Sequence, residues 1–483
     1  MPSITDNIAK LDAPVFAVPE DFRQDPELVA ATKQKLLDAG VKYCYASYVD
    51  LHGVSKAKTT PIESFEKMTN GSELFTVGAM EGMGLVGPEE DECAAVPDLD
   101  TCVVFPWDRT QAWFTGQLYY HGEPYPNDSR VILKRQLEKL ASMGMGFNLG
   151  CEPEFYVLKL DDNGKPEPIQ PVPYTGLCPA YDIRLTSEAM AFLDPMVKYM
   201  NELGFGVYSF DQEGGHSQFE FDFRHSDVLT MCDRLVFLRM MAKHVAASIG
   251  AVASFMPKPF PGDFRSGAHF NMSLYSLETG ENLFAPAESF NGDAPLREKY
   301  GVAVSEMAYH FTAGILRHAD AITALSCPTY NSYQGLIAQG EMLDVSWAPV
   351  VSAWGKNNRS TMMRIPMNRY CVENRAVDMS VNPYLAAALT LAAGLEGVDR
   401  ELDPGEPLNV SSYATSKTKM REAGVKLLPK TLQHAVDALE ADDLAGEVLG
   451  EMRDIFVDWK TREFDDAFYR VSPWQLEKHL TLV

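Results

Sequence analysis

Apolar and polar residues alternate along several short segments of the chain, and a period of two predicts β-strands that bury one face. The strand candidates are 150–158, 205–212, 217–223 and 267–275. Helical patterns lie between them, at 186–203, 228–249, 303–325 and 383–397. This alternation of strands and helices favours a mixed catalytic domain of the α/β or α+β class.

The N-terminal part of the chain differs in character from the rest. Residues 1–27 are rich in proline and acidic residues and predict an extended arm, with a helix beginning at Pro26. Residues 28–125 contain short aromatic and β-branched strand candidates separated by turns, which indicates a small, mostly β domain. A turn cluster at 125–128 precedes the next helical pattern, so we expect the catalytic domain to comprise 126–483.

The polar faces of the predicted strands carry an unusual number of ionisable groups. Glu152 and Glu154 are two residues apart, so both project from one strand face, about 6.5–7 Å from each other. The other groups on or next to such faces are Glu213, Glu220, His269 and Glu373. Each strand alone has an ordinary alternative, a half-exposed strand with a solvated face. Together the strands favour a shared site, because carboxylates with a single imidazole suit Mg²⁺ or Mn²⁺ better than zinc.

Charge narrows the possible partners of this site. The chain has 42 basic and 67 acidic side chains, a net charge of −25, which argues against nucleic acid and an anionic membrane surface. An anionic substrate therefore needs local positive charge, and Arg359, Arg364 and Arg375 supply it close to Glu373 in the sequence. Arginines beside divalent metals recognise phosphate oxygens, so the combination indicates ATP chemistry. The first residues form no secretory signal, and we expect a cytoplasmic protein.

Several motifs, in this order along the chain, resemble those of the glutamine synthetase family, and the resemblance extends from about Val41 to the C-terminus. The matching segments are Glu152-Pro-Glu-Phe, Glu213 with Gln218-Phe-Glu220, Lys258-Pro with Ser266-Gly-Ala-His269, Asn331-Ser-Tyr333, Asn358-Arg-Ser with Arg364-Ile-Pro366, and Glu373-x-Arg375 followed by Asn382-Pro-Tyr384. The resemblance implies an α+β protein with an N-terminal β-grasp domain. Its catalytic domain is expected to hold a curved, funnel-like antiparallel sheet surrounded by helices.

The resemblance also implies roles for the residues singled out above. Two or three Mg²⁺ or Mn²⁺ ions are expected per site. One ion is expected near the acid substrate, on Glu154, Glu213 and Glu220. Another is expected near the phosphates of ATP, on Glu152, His269 and Glu373. The transferred phosphoryl group is expected to meet Arg359, Arg364 and Arg375. We assign Asn271 and Ser273, on the polar face of the His269 strand, to ATP. Homo-oligomers of stacked hexameric rings are implied as well.

Departures from the family pattern concern the acid and amine substrates. Members that use ammonia carry Asp-Asn-Gly-Ser-Gly before the histidine, where this chain has Phe264 and Arg265 in place of Asn-Gly. The arginine expected to bind the α-carboxylate of glutamate is replaced by Gly335. Asp50 matches the family aspartate that takes part in ammonium binding. We therefore expect an amine pocket that contains Asp50, Tyr181 and Phe264.

The pattern most resembles the branch that makes γ-glutamylmethylamide or γ-glutamylanilide. It predicts a ligase that uses ATP to join the γ-carboxylate of glutamate to an amine other than ammonia, through γ-glutamyl phosphate. The amine could be an alkylamine such as methylamine or an aromatic amine such as aniline. Two alternatives stay open at this point, an ammonia-using glutamine synthetase and a catalytically silent relative that serves in assembly or binding.

Overall fold

In the computed structural model of the protein, the described residues are 24–84, 87–170, 178–286, 294–336, 347–422 and 424–482. The chain divides into two compact units, Met1–Ile132 and Leu133–Val483. The arm predicted at 1–27 lies almost wholly outside the described residues.

The described part of the first unit contains a β-sheet and helices. Its strands are β1 (Tyr43–Val49), β2 (Ser55–Pro61), β3 (Glu73–Thr76), β4 (Glu92–Pro97), β5 (Val103–Val104), β6 (Gln111–Tyr120) and β7 (Glu123–Pro124). Its helices are α1 (Pro26–Asp38) and α2 (Phe65–Thr69). The start predicted for α1 is confirmed, and the carboxylate of Asp25 accepts a hydrogen bond of 2.9 Å from the backbone N–H of Glu27.

The strands of the first unit follow the order β2-β1-β6-β4-β3, and β5 and β7 also pair with β6. The two central strands, β1 and β6, are parallel, whereas β1 with β2 and β6 with β4 are antiparallel. Val29 and Leu36 of α1 belong to the same apolar core as Phe65 of α2 and Phe114 of β6. This arrangement is consistent with the β-grasp fold that we expected.

The second unit is built on a larger sheet. Its strands are β8 (Met145–Leu160), β9 (Pro166–Pro168), β10 (Val207–Gln212), β11 (Gln218–Phe223), β12 (Ser226–Asp227), β13 (Val252–Ser254), β14 (Ala268–Ser276), β15 (Val351–Lys356), β16 (Thr361–Ile365), β17 (Val372–Asn374) and β18 (Lys426–Leu427). Their order is β10-β11-β8-β14-β17-β16-β15-β18, and β9, β12 and β13 pair with β8. The sheet is curved and nearly closed, as expected. Its neighbours are antiparallel except β15 and β16, which are parallel.

Helices accompany this sheet. They are α3 (Ser129–Ser142), which crosses the boundary between the units, α4 (Ile183–Glu188), α5 (Met190–Glu202), α6 (Val228–Ser248), α7 (Pro295–Tyr300), α8 (Glu306–Arg317), α9 (Ala319–Ser326), α10 (Ser332–Gly335), α11 (Pro383–Asp399), α12 (Lys417–Glu422), α13 (Leu432–Glu440), α14 (Asp443–Leu449), α15 (Glu451–Phe468) and α16 (Pro473–His479). The helix expected at 186–203 is two helices, α4 and α5. The one expected at 303–325 is likewise divided, into α8 and α9, at His318.

Glycines let α8 and α11 pack closely. A Cβ atom at Gly314 of α8 would lie 2.0 Å from the backbone oxygen of Ala393 on α11, so only glycine fits there. Likewise, a Cβ atom at Gly397 of α11 would lie 2.1 Å from the backbone oxygen of His310 on α8. The described helices include none whose length and apolar character would let it span a bilayer.

Candidate active site

The register of the strands in the second unit brings the predicted polar residues side by side. Glu152 on β8 lies opposite His269 on β14, and Glu373 on β17 lies opposite the residue two after His269. On the other edge of β8, Glu154 lies opposite Glu220 on β11. Since cross-strand neighbours are about 4.5–5.5 Å apart, residues distant in the sequence form one polar surface.

Three of these residues could hold a metal ion. One ligand atom each from Glu152, His269 and Glu373 lie within 4.8 Å of one another. Nδ1 of His269 is 3.1 Å from Oε2 of Glu152 and 3.9 Å from Oε1 of Glu373. Burial and the charge of Arg375 lower the pKa of His269, which favours the neutral imidazole that a metal requires. Two carboxylates and one imidazole fit Mg²⁺ or Mn²⁺.

Arginines bind the carboxylates on this side of the pocket. The fully buried Glu373 accepts hydrogen bonds from Nη1 of Arg364 at 2.5 Å and from Nη1 of Arg375 at 2.6 Å. Nη2 of Arg369 lies 3.0 Å from Oε1 of Glu152. We call this group, Glu152 and Glu373 with Arg364, Arg369 and Arg375, the paired wall.

The paired wall keeps its carboxylates charged. Burial opposes the charge of Glu373, but Arg375, His269 and Arg364 lower its pKa below the usual value. Burial also opposes the charge of Glu152, whose pKa is nevertheless held at about 2 by the hydrogen bond with His269 and by nearby positive charges. The protein itself therefore supplies the counter-charges here.

A second group of carboxylates, which we call the acidic wall, comprises Glu154, Glu213 and Glu220. Within the described residues, no lysine or arginine lies within salt-bridge distance of any of them. Oε2 of Glu154 accepts hydrogen bonds from the backbone N–H of Gly267 at 2.9 Å and from Gln218 at 3.0 Å. Oε2 of Glu213 accepts one from Gly214 N–H at 2.9 Å.

Burial, together with the crowding of like charges, raises the pKa values along the acidic wall. Burial and the neighbouring Glu213 raise the pKa of Glu154 to about 8. Burial and the charge of Glu154 raise the pKa of Glu220 well above its usual value, and burial raises that of Glu213. Within the part of the chain that the structure describes, these carboxylates have no lysine or arginine at salt-bridge distance, and a bound cation would lower their pKa values again.

Both walls, except for the fully buried Glu373, line one pocket of about 650 Å³ in the second unit. Aromatic side chains also line it, namely Tyr181, Tyr208, Phe264 and Trp347. Tyr181 and Trp347 have positive φ angles of 62° and 54°, which are strained for residues other than glycine. The pocket therefore combines ionic walls with apolar surface, as small-molecule sites commonly do.

Comparison with known proteins identifies the family. The model of the glutamine synthetase catalytic domain matches residues 126–479. The chain belongs to the glutamine synthetase family. A glutamate–methylamine ligase from Methyloversatilis universalis is 38% identical over 448 residues, which cover 93% of this chain and 98% of the relative. A glutamine synthetase from Pyrococcus abyssi is 32% identical over 453 residues, covering 91% and 96%.

Solved structures agree with this assignment. The chain resembles a GmaS–ADP complex with a TM-score of 0.84 and 31% sequence identity, over 93% of this chain and 99% of that one. The expected resemblance and fold are thereby confirmed, and the protein is an ATP-dependent ligase of this family.

The structure places the remaining predicted residues of the second unit in different surroundings. Arg359 lines the pocket, and among the described residues no carboxylate forms a salt bridge with it. Asn271 bridges the paired wall, because its side chain contacts Glu152 at 3.1 Å and Arg369 at 2.8 Å. Ser273 lies further along β14 and is not among the pocket-lining residues. The assignment of Asn271 and Ser273 to ATP stays a prediction.

Arg265 fills the space beside Gly335. A Cβ atom at Gly335 would lie 2.5 Å from Cδ of Arg265, so an arginine at position 335 could not fit while Arg265 keeps its place. The guanidinium of Arg265 is 3.1 Å from the backbone oxygen of Val377 and 3.6 Å from Asp378. The two departures from the family pattern, Arg265 and Gly335, are therefore sterically linked.

Asp50 belongs to the first unit and follows β1 directly. It is 1% exposed, and its Oδ1 accepts hydrogen bonds of 2.9 Å from the backbone N–H groups of His52 and Val54. Nζ of Lys56 is 3.5 Å from Oδ2. Burial raises the pKa of Asp50 in spite of these contacts. Its role in binding an amine stays a prediction.

Sequence analysis missed Arg369 and Trp347, which both line the pocket. Both lie outside helices and strands, where no periodic pattern indicates the direction of a side chain. A second signal existed for Arg369, since it follows the Arg364-Ile-Pro366 motif closely and is one more cation beside the carboxylates. Trp347 gave no such signal.

Proposed function

We propose that the protein uses ATP to join the γ-carboxylate of glutamate to an organic amine, an alkylamine of about the size of methylamine. The observation that carries the proposal is one pocket with arginines on one wall and uncompensated carboxylates on the other. The first wall suits phosphate groups, and the second suits a cationic amine. The similarity to a glutamate–methylamine ligase supports the choice of amine.

Divalent metal binding is part of the proposal. The carboxylate and imidazole atoms of Glu152, His269 and Glu373 have the composition that Mg²⁺ or Mn²⁺ favours, and Glu154, Glu213 and Glu220 offer a second, all-carboxylate set. Such ions would screen the repulsion between the phosphates of ATP and the substrate carboxylate. We expect two or three ions per site, as the family resemblance implies.

The arginines are proposed to bind the phosphoryl group during its transfer. An oxygen of the γ-carboxylate of glutamate attacks the γ-phosphorus of ATP, the bond to ADP breaks, and γ-glutamyl phosphate forms. Arg364 and Arg375 are held by Glu373, so their positions are set before substrate binds. Arg359 forms no salt bridge in the ranges that the structure describes, so its guanidinium can donate to two phosphoryl oxygens at once.

The amine then replaces phosphate. Its nitrogen attacks the acyl carbon, the carbon–oxygen bond to phosphate breaks, and phosphate leaves with the former carboxylate oxygen. Alkylamines are almost wholly protonated at pH 7, so the site must bind an ammonium ion and remove one proton. The carboxylate of Glu213 is proposed to attract that ion and to accept the proton that the nitrogen loses before it attacks. The second proton, lost once the nitrogen has bonded to carbon, passes to the departing phosphate or to solvent. The family resemblance implies Asp50 for the same task.

A panel of amines tests the proposal. Purified protein is supplied with ATP, Mg²⁺, glutamate and either ammonium, methylamine, ethylamine, isopropylamine or aniline, and both phosphate and the γ-glutamyl amide are measured. We expect an organic amine to exceed ammonium in kcat/KM by about 10-fold or more. Ammonium as the best acceptor would instead indicate a glutamine synthetase. No amide from any amine would indicate a silent relative.

The assembly and location of the enzyme belong to the same proposal. We propose homo-oligomers of stacked hexameric rings in the cytoplasm, on the family resemblance alone. Size-exclusion chromatography with light scattering tests the assembly, and a monomer in solution would contradict it.

A further inference from the structure

Two successive glycines follow Glu213 of the acidic wall, and each leaves room for a specific neighbour. A Cβ atom at Gly214 would lie 2.7 Å from Cδ1 of the Phe264 ring. At Gly215 it would lie 2.0 Å from the hydroxyl oxygen of Tyr156. Neither glycine has a positive φ angle. Close approach of the neighbouring side chains, rather than backbone conformation, therefore explains glycine at both positions.

The backbone of Phe264 is held on both sides. Its N–H donates to Oδ1 of Asp263 at 2.9 Å, and its carbonyl oxygen accepts a hydrogen bond of 2.7 Å from the fully buried Tyr156 hydroxyl. Oδ2 of Asp263 accepts from the backbone N–H of His216 at 2.8 Å and lies 3.0 Å from its Nδ1. The loop that carries Phe264 is thus fastened to the loop that follows Glu213.

The ring of Phe264 is therefore a fixed apolar surface next to a carboxylate. It is half-buried, lines the pocket, and packs on the residue directly after Glu213. An alkylammonium ion complements both groups, because its positive nitrogen can meet the carboxylate and its apolar carbon can meet the ring. Ammonium has no carbon to place on the ring, whereas a branched amine has more carbon to fit beside a ring that is held in place.

We propose that Phe264 determines which amines the site accepts, and that Gly214 is small so that the ring can occupy this place. Asp263 and Tyr156 are positioning residues that act through Phe264. This inference rests on the proposed function, because it names the determinant of amine choice in that same pocket. One methylene group in an apolar site is worth roughly 10- to 200-fold in kcat/KM, which sets the size of the expected effects.

Single substitutions test the role of the ring. Phe264→Ala is expected to lower the ratio of kcat/KM for methylamine over ammonium about 10-fold and to raise the relative rate with isopropylamine. Phe264→Leu, which keeps apolar volume, is expected to lose less. KM for ATP is expected to stay within about 2-fold in both, since a ring that contacts the amine alone leaves ATP binding unchanged.

A double-mutant cycle tests the contact itself. Gly214→Ala is expected to lower kcat/KM for methylamine about 10-fold in the wild-type background and to have little further effect in the Phe264→Ala background, because the clash is then removed. Gly262→Ala is the matched control. A Cβ atom at Gly262 meets nothing within 4 Å, and this glycine has no positive φ angle. This control is expected to retain wild-type kinetics.

Substitutions at Asp263 test whether this residue positions the Phe264 ring or only stabilises the fold. Asp263→Ala is expected to lower amine selectivity with unchanged KM for ATP, and Asp263→Asn, which can still accept the Phe264 N–H, is expected to restore much of it. A uniform loss of activity with every amine would contradict the positioning role. Thermal unfolding of each variant identifies any that is misfolded, and Phe264→Leu then carries the test.

Two results would overturn the inference while leaving the proposed function intact. One is an unchanged methylamine-to-ammonium ratio in Phe264→Ala and Phe264→Leu enzymes that still make γ-glutamylmethylamide. The other is an equal effect of Gly214→Ala with and without the Phe264 ring. If the wild-type protein makes no γ-glutamyl amide from any organic amine, the proposed function fails and the inference fails with it.

Discussion

The paired wall and the acidic wall use the same side chain in one part of the molecule, but in opposite charge environments. Glu373 is fully buried between two arginines at 2.5 and 2.6 Å, and its pKa is lowered in spite of its burial. Glu220 lies opposite Glu154 on one neighbouring strand and opposite Asp211 on the other, and its pKa is raised. Like charges directly opposite each other destabilise a sheet.

The difference indicates whether the counter-charges of each wall come from the protein or from a bound cation. The positive charges of the paired wall belong to the protein, so its geometry is set before any substrate binds. We expect the acidic wall to bind a cation, whether a divalent metal or an ammonium group, because among the described residues no lysine or arginine lies close to its carboxylates. This asymmetry is the physical reason for proposing that the phosphates lie against the paired wall, with one metal ion on Glu152, His269 and Glu373, and that the amine lies against the acidic wall.

The largest expected effect is on activity, when the acidic wall loses a carboxylate. Glu213→Ala and Glu220→Ala are each expected to lower ligation by on the order of 10³-fold at saturating Mg²⁺, because the cation loses an anionic partner. Asp222→Asn, on the same strand as Glu220, is the matched control and is expected to lose less than about 10-fold. Near wild-type turnover in both glutamate variants would remove the acidic wall from the mechanism.

When no metal is bound, replacing a glutamate by glutamine is expected to change the free energy of unfolding in opposite directions in the two walls. Glu373→Gln is expected to lower the free energy of unfolding by about 3 kcal/mol, because it leaves two buried arginines without their charged partner. Glu220→Gln is expected to raise it by about 1 kcal/mol, because a carboxylate with a raised pKa costs stability whenever it is ionised. Denaturant unfolding in EDTA at pH 8 measures both. Changes of the same sign would contradict the comparison.

Arg359 lines the pocket but takes no part in the ion pairs of the paired wall, and this predicts a kinetic effect. Arg359→Lys is expected to lower kcat about 10- to 100-fold with a small change in KM for the amine, because lysine cannot donate two parallel hydrogen bonds to a phosphoryl group. Steady-state kinetics with methylamine and ATP measure the change. Lys356→Arg, an exposed position on β15, serves as the control for an exchange of cations. An unchanged kcat would leave Arg359 without a role in phosphoryl transfer.

A smaller effect is expected at His318, where an imidazole supplies the positive charge between two carboxylates. Its Nδ1 is 2.7 Å from Asp442 and its Nε2 is 2.5 Å from Glu396. Burial opposes protonation of His318, but the two carboxylates raise its pKa. Its contribution of about 1 kcal/mol is therefore full below the ordinary histidine pKa of about 6.5 and is lost as the pH rises through the raised pKa.

His318→Gln tests this contribution. The variant is expected to be less stable than the wild type at pH 6 and nearly equal to it at pH 9, as measured by denaturant unfolding. A stability difference that grows with pH would show that the sign is wrong.

Alternation along single strands predicted much of the site, but not its assembly. The period of two placed Glu152 with Glu154 and isolated Glu220 and His269 on polar faces, because burial of one face fixes the direction of every second side chain. The register between β8 and β14 depends on pairing across more than 100 residues, which no local pattern encodes. Family motifs, rather than periodicity, had grouped these residues in advance.

Other features of the fold were missed for local reasons. The helical pattern at 303–325 continues through His318. The two carboxylates that contact His318 come from α11 and from the N-cap residue of α14, both distant in the sequence, so the break was not visible. In the first unit, β2 is largely exposed and polar, and it escaped detection because its sequence lacks an apolar face. The contact between Gly214 and Phe264 also joins separate loops, and only the structure revealed it.

The most direct test of the central claim follows one oxygen atom. Glutamate labelled with ¹⁸O in its γ-carboxylate is supplied with ATP and methylamine, and the released phosphate is analysed by mass spectrometry. The account predicts one ¹⁸O atom in each phosphate, because the carboxylate oxygen that bonds to phosphorus leaves with it when the amine attacks. Phosphate without ¹⁸O, formed at the same rate as γ-glutamylmethylamide, would contradict the γ-glutamyl phosphate mechanism.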